Sequence, residues 1–66
     1  MSHATRLIKE EIQNLRDMAA KNLRDSRDFR SVGMTHLAEW FSGRAGAYKL
    51  ASESLKLTLD LIEIHE

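Results

Sequence analysis

Arg24, Arg27 and Arg30 recur at every third residue, with Lys21 one step before them. On a helix they would line one basic edge. The planar guanidinium fork suits phosphate better than a lysine's point charge does. Asp25 and Asp28 interleave with the arginines, so the ordinary reading of the run is a solvated, salt-bridged surface, and the functional reading is an anion site. A fourth arginine, Arg44, stands between Phe41 and Tyr48 on an apolar stripe. An arginine there requires a carboxylate, an aromatic face or a bound anion. Trp40 and Tyr48 can stack on a nucleobase, although such side chains serve more often as core or interface anchors. Arg24, Arg27, Arg30, Arg44, Trp40 and Tyr48 therefore form the candidate site for a small anionic, nucleotide-type ligand.

Other chemistries find less support. The chain has no cysteine, which removes disulfides, thiolate zinc sites and a cysteine nucleophile. A di-iron bundle needs repeated Glu-x-x-His pairs. Of His3, His36 and His65, only His36 stands near a glutamate in a related pattern, the reversed His36-Leu37-Ala38-Glu39, with Glu39 on the polar face. No metal or cofactor is expected. Nor is there a Ser-His-Asp arrangement or a carboxylate pair in apolar surroundings, and 66 residues leave little material for a preorganised pocket. A non-enzymatic protein is expected. The segment Gly43-Arg44-Ala45-Gly46-Ala47 is not a phosphate loop, since no strand precedes it and no Lys-Ser/Thr pair follows. Within a helix, Gly43, Ala47 and Ala51 instead make a flat strip for close approach of another backbone.

Ten basic residues balance ten acidic ones, which argues against non-specific nucleic-acid binding. The balance conceals an asymmetry: residues 1–49 carry nine basic and six acidic groups, residues 50–66 one and four. A local anion site survives that arithmetic. No apolar run approaches the ~18 residues of a membrane span, and residues 1–6 lack the apolar stretch of a secretory signal. A cytoplasmic protein without a membrane association is the expectation.

The elements that must position these residues are helical. Period-two alternation is absent and β-branched residues are sparse. Ser2 can cap a first helix over residues 2–26, whose stripe is Ala4, Ile8, Ile12, Leu15, Ala19 and Leu23, widened by Leu7 and Met18. The polar run 25–31 favours a turn, placed at 27–31, with Gly33 as the rival breakpoint. A second helix over 31–64 carries two apolar stripes. The first is Leu37, Phe41, Tyr48, Ala51, Leu55, Leu59 and Ile62. The second, about 100° round, is Trp40, Gly43, Ala47, Leu50, Leu57, Leu61 and Ile64, with Ser54 inside it.

The expected fold is all-α: an antiparallel two-helix hairpin whose second helix, ~51 Å against ~36 Å for the first, overhangs its partner. One partner helix covers one stripe. A chain this short without staples rarely closes a stable core alone, so the uncovered stripe predicts a homo-oligomer, most simply a C2 dimer of four helices. The rival is a monomer in which a third short helix near residues 28–34 folds back.

The run Trp40-Phe41-Ser42-Gly43-Arg44-Ala45-Gly46-Ala47-Tyr48-Lys49-Leu50-Ala51, followed by Ser54-Leu55, resembles a packing motif of small helical-hairpin proteins of bacteriophages and prophages. Those commonly read Gly-Lys/Arg-Ala-x-Ala-Tyr-x-x-Ala-x-x-Leu on the second helix; Gly46 replaces their usual polar or acidic residue. The resemblance covers about twenty residues and carries over no functional residue. It implies a phage-type accessory protein, helical and oligomeric, acting by stoichiometric binding in the host cytoplasm. Its target would be a nucleotide signal, sequestered in counter-defence, or alternatively a host protein gripped by an apolar helix face.

Overall fold

The computed structural model describes residues 3–65 and consists of two α-helices, α1 (His3–Ser31) and α2 (Thr35–His65). They pack against one another as a hairpin, a rod of 50 × 15 × 10 Å between Cα atoms. The Ser2 cap lies outside the described residues. The helices have 29 and 31 residues, so the second is scarcely longer and the expected overhang is absent. The third helix of the rival arrangement is absent among the described residues as well.

The overhang fails because the turn comes later than 27–31. Residues 25–31 are helical, and the chain reverses at residues 32–34. Gly33 adopts φ +82°, a left-handed conformation that glycine reaches without a Cβ clash. Its N–H donates to the Arg30 carbonyl (3.1 Å), and the Met34 N–H donates to the Phe29 carbonyl (2.9 Å). Those two bonds form a Schellman motif, which satisfies carbonyls left open at the helix end. Met34 then opens α2 directly, its carbonyl accepting from the Ala38 N–H at 3.0 Å. Polar side chains upstream do not break α1, and two of them find partners that tolerate the helix. Asp25 pairs with Lys21 at 3.1 Å, and the Ser31 hydroxyl donates to the Asp28 carbonyl at 2.7 Å.

The seam between the helices follows a strict heptad. On α1, Thr5, Ile8, Ile12, Leu15, Ala19, Asn22, Ser26 and Phe29 are buried or half-buried, alternately three and four residues apart. On α2 the same alternation runs through Ala38, Phe41, Ala45, Tyr48, Ser52, Leu55, Leu59 and Ile62. A repeat averaging 3.5 residues keeps one stripe facing its partner along the whole length. This corrects both stripes expected from apolar spacing alone. Leu7, Met18, Leu23 and Leu37 are exposed, as are Ala4 and Ala51, while Thr5, Asn22, Ser26 and Ser52 occupy the seam.

Small seam residues let large ones in. Counting outward from the turn sets Phe29 level with Ala38, Ser26 with Phe41, Ala19 with Tyr48 and Leu15 with Ser52. Two observations anchor that register: the Ser26 hydroxyl donates across the seam to the Ala38 carbonyl at 2.7 Å, and the Phe29 and Phe41 rings stack with centroids 5.2 Å apart. By the same count Ile8 and Ile12 lie level with Leu59 and Leu55 towards the open end, where Lys9 reaches Glu63 at 3.5 Å. Two further buried polar groups bond within their own helices, Asn22 Nδ2 donating to the Met18 carbonyl and the Ser52 hydroxyl to the Lys49 carbonyl, both at 2.7 Å. Among the described residues no buried side-chain polar atom lacks a partner, so these groups incur little of the desolvation cost that an unmade bond would bring.

Candidate functional site

Trp40, Arg44 and Tyr48 stand four residues apart and so form one ridge along α2. The Arg44 guanidinium carbon lies 4.8 Å from the centre of the Trp40 ring and 5.8 Å from that of Tyr48. Its Nη2 donates to the Tyr48 hydroxyl at 3.1 Å. Of the three partners an arginine could have needed at that position, the fold supplies the aromatic face. At an exposed site such a contact is worth about 0.5–1 kcal/mol. Trp40 in turn meets Phe41 edge-on (4.8 Å, 88°), and Phe41 stacks on Phe29. One aromatic series thus leads from the seam near the turn to the surface, where Trp40 is 54% exposed.

The remaining candidates lie elsewhere. The Lys9–Glu63 contact joins the residues that follow Ile8 and Ile62, so positions just after a seam residue share one side of the hairpin. Arg27 and Arg30, which follow Ser26 and Phe29, belong to that side. Arg44 precedes Ala45 and belongs to the other, and Arg24, two steps from both Asn22 and Ser26, falls on the back of α1. All three α1 arginines are exposed, and among the described residues none forms an ion pair; the pair in this region is Lys21–Asp25. The six residues grouped from sequence do not converge within one chain. Three of them do.

α2's second stripe is exposed along its full length. Trp40, Leu50, Leu57, Leu61 and Ile64 are between 54% and 75% exposed. The members Trp40, Gly43, Ala47, Leu50, Ser54, Leu57, Leu61 and Ile64 repeat the three-four alternation of the inner seam, a second heptad displaced by two residues. Since the true inner seam runs through Ala38, Ala45 and Ser52, the outer one sits about 160° away, on the face opposite α1, and not at the expected 100°. The helix is continuous through Gly43 and Gly46. A Cβ on either would meet nothing within 4 Å, so neither glycine makes room for α1. That service falls to Ala38, Ala45 and Ser52, which a search for glycine pairs passes over.

His3 begins α1 and His65 ends α2, and helices of near-equal length bring them to the same end of the rod. Among the described residues no group of three His, Asp or Glu side chains could hold a metal ion. Lys56 is hydrogen-bonded to Asp60 at 2.8 Å, which, with the charge of that carboxylate, raises its pKa above 10.5. Two shallow depressions flank the seam towards the open end, one lined by Leu7, Ile8 and Leu55, the other by Ile12, Arg16 and Lys56. Neither includes a candidate ligand residue. Among the described residues no helix is long and apolar enough to cross a membrane. No protein-family model, curated protein or solved structure matches the chain.

Proposed function

We propose that this is a non-enzymatic helical interaction module, a phage-type accessory protein that acts by stoichiometric binding in the cytoplasm through the outer seam of α2. The observation that carries the reading is the second heptad: a full-length apolar stripe, patterned for a helix, with no helix on it in the hairpin. Water contact along so continuous a stripe is costly, and stripes of this kind serve as association surfaces. Leu57→Glu tests it. Leu57 is 67% exposed, so the hairpin keeps its helicity by circular dichroism while association of any kind is lost. If Leu57→Glu associates as the parent does, the reading fails.

The Trp40–Arg44–Tyr48 ridge favours a second reading, sequestration of a small anionic nucleotide. The exposed indole offers a stacking face and Arg44 a phosphate partner. Calorimetric titration with cyclic and ADP-ribose-type nucleotides checks it: a stoichiometric heat that Arg44→Ala abolishes supports sequestration, and its absence across the panel removes it.

A further inference from the structure

Resting on the interaction-module reading, we infer that the occupant of the outer seam is α2 of a second copy, running antiparallel, with the two-fold axis level with Ser52. The argument is the order of large and small residues. Between Trp40 and Ile64 at its two ends, the outer seam is small on the turn side (Gly43, Ala47) and large on the open side (Leu57, Leu61). Laid antiparallel on itself, the seam sets Gly43 against Leu61 of the other copy, Ala47 against Leu57, Leu50 against Ser54 and Trp40 against Ile64. The three inner layers each pair a bulky side chain with a small one, and Trp40 and Ile64 close the ends. A parallel copy would set Gly43 on Gly43 and Leu57 on Leu57, leaving voids at one end and crowding at the other, both destabilising.

The same rule joins α1 to α2, where Phe29 lies level with Ala38 and Ala19 with Tyr48. Size agrees as well. The exposed portions of the five large seam residues amount to on the order of 700 Å² per copy, close to the ~800 Å² per partner of a standard specific interface. Gly43, open to 4 Å in the hairpin, gains a partner in Leu61. Because the two seams of α2 lie on opposite faces, the dimer is a row, α1–α2–α2–α1, and not a square four-helix bundle. Glu53 of each copy stands beside the axis, and the repulsion between the two sets a salt dependence opposite to that of a salt-bridged interface.

Single cysteines test the arrangement cleanly, since the chain has none. In the antiparallel row Ala47→Cys of one copy faces Leu57→Cys of another. Two copies of either variant hold their cysteines about 15 Å apart. Oxidising an equimolar mixture should therefore yield the mixed disulfide dimer, with neither variant cross-linking alone, and native mass spectrometry of the parent should show twice 7.6 kDa. Leu57→Glu should weaken the dimer by on the order of 30-fold or more, as loss of a central anchor does, with helicity unchanged. Self-cross-linking of Leu57→Cys in preference to the mixed product overturns the antiparallel register. A monomeric parent that carries a different protein on this seam at 1:1 overturns the second copy and leaves the interaction module standing. A monomer whose seam binds nothing overturns both.

Discussion

α1 and α2 contribute equally to the seam between them and differ in what they show to everything else. Away from its seam α1 is mainly charged: Glu10, Arg16, Asp17, Lys21, Arg24, Arg27 and Asp28 cover its outer faces, and its exposed Leu7, Met18 and Leu23 form no second heptad, the pattern of a helix with one partner. α2 confines most of its charge to one band, Glu39, Lys49, Glu53, Lys56, Asp60 and Glu63, and carries apolar heptads on two faces. The difference separates two kinds of work. The inner seam makes the hairpin, and the outer seam makes the hairpin useful to a partner.

Paired substitutions break that comparison most directly. Leu59 (3% exposed) and Leu57 (67%) stand two residues apart on opposite seams. Leu59→Ala should cost the hairpin about 2–5 kcal/mol, read from urea denaturation, whereas Leu57→Ala at concentrations where the chain is a monomer should stay within about 0.5 kcal/mol. Equal costs would mean that the two faces do not divide the work. The glycines sharpen the contrast with opposite signs. Gly33→Ala forces a side chain into the left-handed turn and should destabilise by about 1–2 kcal/mol. Gly46→Ala, in open space on a continuous helix, should instead stabilise by up to about 1 kcal/mol. Thermal melts distinguish them by direction alone.

Ser26→Ala removes the cross-seam bond to the Ala38 carbonyl and should cost about 1 kcal/mol, while Ser42→Ala on the exposed band should be silent. The smallest effect concerns Lys56. Its folded pKa is raised by Asp60, so the stability it lends is fully present below its unfolded pKa of 10.5 and lost as pH rises through the folded value. Both groups face solvent, and the readout is therefore the amine itself: Asp60→Asn should lower the Lys56 pKa followed by NMR.

Two helices and a hairpin are legible in the residue pattern, and so is the outer stripe. The inner seam is misread because its register is held by Thr5, Asn22, Ser26 and Ser52, polar residues that any search for apolar spacing discards. Their small volume and local hydrogen bonds are what qualify them for a close-packed seam, and strict three-four alternation was the available signal. The turn is misplaced for a related reason. Asp25 and Ser26 look like helix breakers until Lys21 one turn back and the Ala38 carbonyl across the seam are seen to hold them, whereas Gly33 ends the helix by backbone conformation. Of the candidate ligand residues, Trp40, Arg44 and Tyr48 are legible as a ridge by their spacing of four. That Arg24, Arg27 and Arg30 fall on other sides follows only from the seam's true register.

The Schellman turn also sets the order in which the molecule comes together. Each layer of the inner seam closes a loop that contains every layer nearer Gly33, so Phe29 and Ala38 need the shortest chain closure and Thr5 and Ile62 the longest. Closure entropy grows with loop length, and a hairpin of this kind zips from its turn outward, on the fast side of folding rates. The layers near the turn, where Phe29 stacks on Phe41 beside Ser26 and Ala38, thus form before Ile8, Ile12, Leu55 and Leu59 bring most of the aliphatic burial. Hydrogen exchange should run in the reverse sense, with amides near His3 and His65 opening first.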